Sequence, residues 1–325
     1  MKQYLNFTFF VLLFLKLKLY SLFVLKVSSF NSYFLKIWSC INMEDEKFGE
    51  TFKFIRKSRG LSQDYVARNI VSRTSISKIE NGKQTPSISK AYSLIKNLGL
   101  EADEFLYIQN NYKRDLKSSI LHQFMNLSET TQAESISHVV NECKKYLSNY
   151  FDVQISHIFI VLQSLKSYEN GEEFSKIEER LKPVWEDLSK LDTWLTIDLF
   201  IINNILYFFP INTSYNMTKQ SLKTIENKYP YLLRLKNAFN LNISYLLMRE
   251  NLFEQATKFL SESMELSKII KRYDLLLIAK IRLSIINNNF EQIQKYYNLL
   301  VEIGAEELAF GVKKEVKQAF NMTII

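Results

Sequence analysis

Between Phe48 and Tyr107 apolar residues recur three and four positions apart in short runs, each opened by a small polar residue or closed by glycine. That period is one face of a helix, not the alternation of a strand. Phe48, Phe52 and Ile55 share a face, and Gly60 stands where a helix end wants a left-handed residue, so a first helix is predicted over Phe48–Ser58. Ser62 is an N-cap for a second, Gln63–Asn69, with Tyr65, Val66 and Ile70 apolar. Ser72 opens a third, Arg73–Glu80, which Asn81-Gly82 ends. Ser87 opens a fourth, Ile88–Leu98, whose Ile88, Tyr92, Ile95 and Leu98 should face the core, and Gly99 ends it. Asp103–Tyr107 is a short fifth helix.

Beyond Tyr112 the helical period continues and no strand pattern interrupts it. A weak repeat runs through this part. Phe174, Tyr215, Phe253 and Phe290 lie 41, 38 and 37 residues apart, each shortly after an asparagine that should start its helix: Asn170-Gly171, Asn212, Asn251 and Asn289. Stacked helix hairpins give that spacing, each burying its face on the next. Trp185 and Trp194 with Leu188, Leu191 and Phe200 read as core, as do Phe159–Leu165 and Leu275–Ile286. The expected fold is all-α, with an N-terminal five-helix helix-turn-helix domain at 43–107 and a helical-repeat domain at 108–325.

Composition agrees. Seven Gly and four Pro among 325 residues are few breakers, and 24 Phe with 18 Tyr carry too much apolar area for disorder. The net charge of +8 is uneven. Residues 1–42 hold five Lys and no acid, whereas residues 48–98 set ten Lys/Arg against three acids. Such a local excess suits a polyanion. Cys40 and Cys143 have no metal spacing and exclude a disulfide framework. The composition fits a reducing, cytoplasmic setting.

Residues 1–42 stand apart. They are apolar, but Lys16 and Lys18 interrupt the run, which is shorter than the roughly 20 residues a bilayer span needs. Met43-Glu44-Asp45-Glu46 begins a new composition just before the predicted fold. We expect Met43 to be the start of the folded protein. A membrane tether for a helical scaffold is the alternative, should the segment belong to it.

In the third helix Ile76 and Ile79 can dock on the core while Arg73, Thr74, Ser75, Ser77 and Lys78 stay polar. Its N-terminal half could enter a major groove, with Arg73 and Lys78 reaching guanine and Thr74 a thymine methyl or a base edge. Gln63 is placed to bond a phosphate at a helix N-terminus, and Asn81 and Lys83 to meet the DNA backbone. The bland alternative is a protein-binding module with a solvated basic face. The string Arg56…Gly60-Leu61-Ser62-Gln63…Val66-Ala67…Ser72…Ile76-Ser77-Lys78-Ile79-Glu80-Asn81-Gly82…Pro86 resembles the Xre-type and phage-repressor DNA-binding family. That resemblance implies a buried Arg56–Glu80 ion pair tying the first helix to the third. The stretch from Gln63 to Glu80 is one residue shorter than in most phage repressors, and Asn69-Ile70-Val71-Ser72 replaces the usual turn glycine. With the long helical body, this resembles the Rgg/GadR/MutR regulators of low-GC Gram-positive bacteria. The body resembles degenerate tetratricopeptide repeats.

The Rgg resemblance implies a quorum-sensing regulator holding a short hydrophobic peptide pheromone in the concave groove of its repeats. Asparagine side chains both donate to and accept from peptide backbone, and Asn203, Asn240 and Tyr245 are the candidate contacts. The reading is a homodimeric transcription regulator of double-stranded DNA, with RNA polymerase a further partner. A regulator without peptide ligand is the alternative. No phosphate-cradling glycine loop, zinc spacing or nucleophile setting occurs, and His122, His138 and His157 are scattered through predicted helices. No catalysis, cofactor or metal is expected.

Overall fold

The computed structural model describes residues 47–127 and 133–320. Residues 1–42, Met43 and Cys40 lie outside them. The chain divides into two units, with the boundary between Asp115 and Leu116. Among the described residues all regular structure is helical.

The first unit holds α1 (47–58), α2 (Gln63–Ala67), α3 (Arg73–Glu80), α4 (Ile88–Asn97) and α5 (Ala102–Gln109). Phe52 and Ile55 are buried, and half-buried Phe48 rests against Phe52 and Phe105. Gly60 takes φ +64° and ends α1, with the Leu61 N–H returning to the Arg56 carbonyl. The hydroxyls of Ser62 and Ser72 accept from the Tyr65 and Ser75 N–H groups, capping α2 and α3 as expected. Helix α2 stops at Ala67, two residues early, because Asn69 adopts φ +62°. Asparagine here does what the absent turn glycine would do. At the end of α3 Gly82 alone is left-handed, while Asn81 is not.

Helix α4 differs from expectation in its phase. Leu94, Ile95 and Leu98 are buried, Ile88 is 91% exposed, and Tyr92 lies outside under the Lys96 ammonium. Ala91, Leu94, Ile95 and Leu98 form the true inward stripe; Tyr92 lies past its edge, and Ile88, though seven residues before Ile95, is the first residue of the helix and stays in solvent. Ser87 occupies the N-cap position, but its hydroxyl faces Ser89 and caps no N–H.

The second unit runs α6 (Leu116–Asn126), α7 (Ala133–Leu147), α8 (Val153–Glu169), α9 (Phe174–Ser189), α10 (Thr196–Ile205), a 3-10 turn (Leu206–Phe208), α11 (Ile211–Lys228), α12 (Leu233–Arg249), α13 (Phe253–Ile269), α14 (Tyr273–Ile286), α15 (Phe290–Glu302) and α16 (Glu306–Phe320). Successive helices pack on one another through one continuous apolar core. Five connections use the same turn. Gly171, Asn251, Lys271, Asn288 and Gly304 take positive φ, and the N–H of the next residue reaches five positions back into the finished helix.

That turn explains the repeat in the sequence and corrects its reading. Asn251 closes the preceding helix rather than opening the next, whereas Asn289 does open α15, its side-chain oxygen accepting from the Gln292 N–H. Phe174, Phe253 and Phe290 are first residues of α9, α13 and α15 and remain substantially exposed, so they are not core anchors. The buried positions come three residues later, at Ile177, Ala256 and Ile293. Tyr215 sits inside α11, edge-on to Phe259. Trp194 is core, its indole N–H bonded to the Leu188 carbonyl, with Trp185 beside it. Leu191, expected in that cluster, is exposed on the loop between α9 and α10.

Lys271 holds a left-handed conformation without glycine's freedom. Lys271→Gly should therefore raise stability by about 0.5–1 kcal/mol, seen as a higher thermal midpoint. A lower midpoint would mean that the lysine side chain stabilises the turn more than its backbone strains it.

Candidate nucleic-acid interface and body cavity

Helix α3 is anchored by few groups. Ile76 and Ile79 are buried, and Glu80 is buried beside them. Arg56 of α1 donates from Nε and Nη2 to the two Glu80 oxygens, and its Nη1 reaches the Leu61 carbonyl. This is the ion pair that the family resemblance implied. Gln63 joins it, its Nε2 donating to Glu80 Oε2 at 2.9 Å. The side chain expected to bond phosphate is thus held by Glu80 in this structure. Burial pushes the Glu80 carboxyl up, but the hydrogen bonds from Arg56 and Gln63, with the charges of Arg56 and Lys53, outweigh it and hold the group below its ordinary value.

A glycine missed in the sequence completes the joint. Gly49 of α1 lies so close to α3 that a Cβ there would stand 2.0 Å from the Ile79 carbonyl oxygen. Its signal was a glycine inside a predicted helix, which weakens the helix unless close approach needs it. Further bonds fix the surroundings. Asn97 of α4 donates to the Val66 carbonyl at the end of α2, and Arg59, just after α1, to the Leu98 carbonyl.

What α3 leaves outside is a polar face. Arg73, Thr74 and Lys78 are exposed and Ser77 is half-buried, and these positions lie on one side of the helix. The Arg73 side chain is 3.8 Å from Asp64, both open to solvent. Ser75 is drawn into the cap, its hydroxyl 3.0 Å from that of Ser72. Asn81 is exposed but engaged, donating to the Ser77 carbonyl and accepting from Lys53. Lys83 is exposed. The structure thus leaves Arg73, Thr74, Ser77, Lys78 and Lys83 presented together, and turns Gln63 and Ser75 toward the protein.

The second unit contains a cavity of about 720 Å³ between α6, α10, α12 and the α13–α14 connection. Its wall is mainly apolar, including Met125, Phe200, Leu235, Leu241 and Ile278, with Asn242, Arg234, Arg272 and Arg282 among its polar members. Asn203, Asn240 and Tyr245 are not on that wall. Asn203 and Tyr245 stand behind it in a polar chain. Asn242 donates to Asn203 Oδ1 and accepts from the Tyr207 hydroxyl, Tyr207 packs near Tyr245, and the Tyr245 ring lies 5.2 Å from the Arg282 guanidinium. Asn240 is fully buried within α12. Burial pushes the Tyr245 phenol up, so it stays protonated.

Arg282 was not foreseen. It is a charge inside the apolar run of α14, bonded through Nε and Nη2 to Glu315 of α16 and through Nη1 to the Leu241 carbonyl. A charged residue amid buried-face positions was the available signal. Elsewhere, His157 is buried with its Nε2 3.2 Å from Asp187, while His122 and His138 are exposed. Cys143 is enclosed in the core and burial pushes its thiol up to about 12, far from the thiolate that redox chemistry needs. Among the described residues no His/Cys/Asp/Glu group could hold a metal, and no helix is long and apolar enough to cross a membrane.

Residues 52–105 match the helix-turn-helix family. Over most of its length the chain is similar in fold to three solved structures. One, from Listeria monocytogenes EGD-e and named as a transcriptional regulator, is 20% identical over 84% of this chain and 98% of its own, with a TM-score of 0.64. The SHP pheromone receptor Rgg2 of Streptococcus dysgalactiae is 14% identical over 83% and 99%, with a TM-score of 0.58. PlcR of Bacillus thuringiensis, solved with the peptide PapR7 and DNA, is 17% identical over 81% and 99%, with a TM-score of 0.55. The fold of head plus helical body is the one these proteins share.

Two outcomes test the joint between α1 and α3. Gly49→Ala should destabilise the first unit by about 1–3 kcal/mol through overpacking, read as faster hydrogen exchange in α1 and α3 with the second unit unchanged. Glu80, held below its unfolded value near 4.5, contributes stability that is present above that pH and is lost as pH falls through the lower folded value. The acid limb of the first unit's unfolding should therefore flatten in Glu80→Gln, and an unchanged limb would remove Glu80 from the account.

Proposed function

We propose that this protein is a sequence-specific, DNA-binding transcription regulator of the Rgg type, acting as a cytoplasmic homodimer whose state is set by a short apolar peptide in the body cavity. One observation carries the DNA reading. Within the segment matching the helix-turn-helix family, α3 is docked by Ile76, Ile79 and Glu80 and turns Arg73, Thr74, Ser77 and Lys78 to solvent. A helix so presented can lay its N-terminal half in the major groove.

The roles divide by chemistry. Arg73 and Lys78 read guanine edges, and Thr74 a thymine methyl or a base edge. Lys83 and Asn81, on the loop after α3, meet phosphate, and the N-terminus of α2 at Gln63 adds a backbone contact. Two heads in a dimer would read half-sites about 34 Å apart, one turn of the duplex.

The peptide reading is supported by the apolar cavity and by the fold shared with Rgg2 and PlcR, one named a pheromone receptor and the other solved with a peptide. Asn242 and Arg282, on the wall, make direct contacts. Asn203 and Tyr245 act through them, and Asn240 sets the packing of α12. Occupancy changes DNA binding or polymerase contact only as far as the peptide favours one arrangement of the protein over another.

Arg73→Ala should weaken binding to the true site by about 1–3 kcal/mol and relax sequence preference there, whereas Lys83→Ala should weaken all duplexes alike and lower the salt slope. Competition binding against operator and random DNA separates the two. Equal losses on every sequence for Arg73→Ala would leave it a phosphate contact and remove the base-reading role.

A further inference from the structure

We infer that Asp64 sets how sharply the head discriminates among sequences, by favouring Arg73 on a base edge over Arg73 on phosphate. The inference rests on the DNA reading above and adds a residue of α2 to the face of α3.

Residues 48–98 hold three acids, Glu50, Asp64 and Glu80, among ten Lys/Arg. Glu80 is taken up in the buried joint with Arg56. Glu50 stands exposed on α1. Asp64 is exposed beside the start of α3, its Oδ2 3.8 Å from Arg73 Nε, and among the described residues Arg73 is its one partner. Gln63 next to it is turned to Glu80, so the group that α2 offers toward Arg73 is a carboxylate. In a domain drawn to a polyanion, an open carboxylate against a base-reading arginine calls for a reason.

Helix stability is a poor one. An acid in the first turn suits the helix dipole, but α2 has five residues, and the Ser62 hydroxyl already accepts from the Tyr65 N–H. The geometry at Arg73 is a better one. With Nε toward Asp64, the two Nη groups are left together for a partner, and a pair of N–H donors is what guanine O6 and N7 accept. A duplex also offers Arg73 a phosphate at every position. Taking it draws the guanidinium away from Asp64 and leaves the carboxylate uncompensated near the DNA backbone. Taking guanine keeps the two charges paired. The pair is weak while both groups stand in water, and it strengthens as the duplex excludes solvent. Asp64 therefore lowers affinity for every sequence, and lowers it least where guanine faces Arg73. That is discrimination through a repulsive element.

The full-length protein selects duplexes from a library with a randomised core, and the selected pool and the unselected library then serve as the two probes. Asp64→Asn keeps the shape and removes the charge. It should bind the unselected library about three- to tenfold more tightly and the selected pool with a smaller gain, so that the ratio between them falls. In the Arg73→Ala background the same substitution should leave the ratio unchanged. Both side chains are exposed, and an unchanged thermal midpoint checks that each variant keeps its fold.

An equal gain on both probes for Asp64→Asn makes Asp64 a plain surface charge and overturns the inference, with the DNA reading left standing. A ratio that falls just as far in the Arg73→Ala background overturns it too, since Asp64 would then act on some other group. A wild-type protein that enriches no sequence from the library overturns the sequence-specific DNA reading and this inference together.

Discussion

The helix-turn-helix unit depends on one contact, the close crossing of α1 over the end of α3. Helix α3 is eight residues long and gives the core two isoleucines, too little to fix its orientation by packing alone. The buried Arg56–Glu80 pair, with Gln63 as third member, supplies direction where apolar contact supplies only attraction. Gly49 lets the backbones meet closely enough for that pair to form. Removing one partner would leave a charge without compensation in the core, a far larger change than any surface ion pair here could cause.

Because the anchoring groups lie on one side of α3, the other side is free to be polar. Arg73, Thr74, Ser77 and Lys78 need no partner for folding. Arg73 has only the distant, exposed Asp64, a pair weak enough for a duplex to displace. The excess of basic residues over 48–98 matters for the same reason. Charge concentrated around a rigid helix gives affinity for any duplex, and the few side chains on its face then discriminate among sequences.

The head was legible because its signals are local. Ser62, Ser72, Gly60 and Gly82 fix helix ends through their own backbone and side-chain chemistry, and all four do so in the structure. Even the missing turn glycine could be traced to Asn69. Phase was harder to read. In α4 the choice between Ile88 and Leu94 as inward residue depends on where the neighbouring helices lie, which periodicity over ten residues leaves open. In the body the repeat was visible, but its cause lay in the turn residues, not in the aromatics beside them. The cavity wall was not legible at all, since it is gathered from α6, α10, α12 and α14, far apart in the chain.

The same reasoning separates the polar groups of the body. An asparagine abundant in a helical chain carries little information, because most asparagines end helices or face water. An arginine in the middle of an apolar helix is different, since its burial must be offset by specific partners. Arg282 has them from two other helices, Glu315 on α16 and the Leu241 carbonyl on α12. A well-packed apolar pair in their place would hold the helices together about as well. What the ion pair adds is a fixed direction for the guanidinium beside a cavity. The asparagine–tyrosine chain from Asn203 to Tyr245 extends that fixed geometry to α10. Any group that binds Arg282 therefore acts on a set of helices already joined by hydrogen bonds, and its effect on them is set by how differently it binds their alternative arrangements.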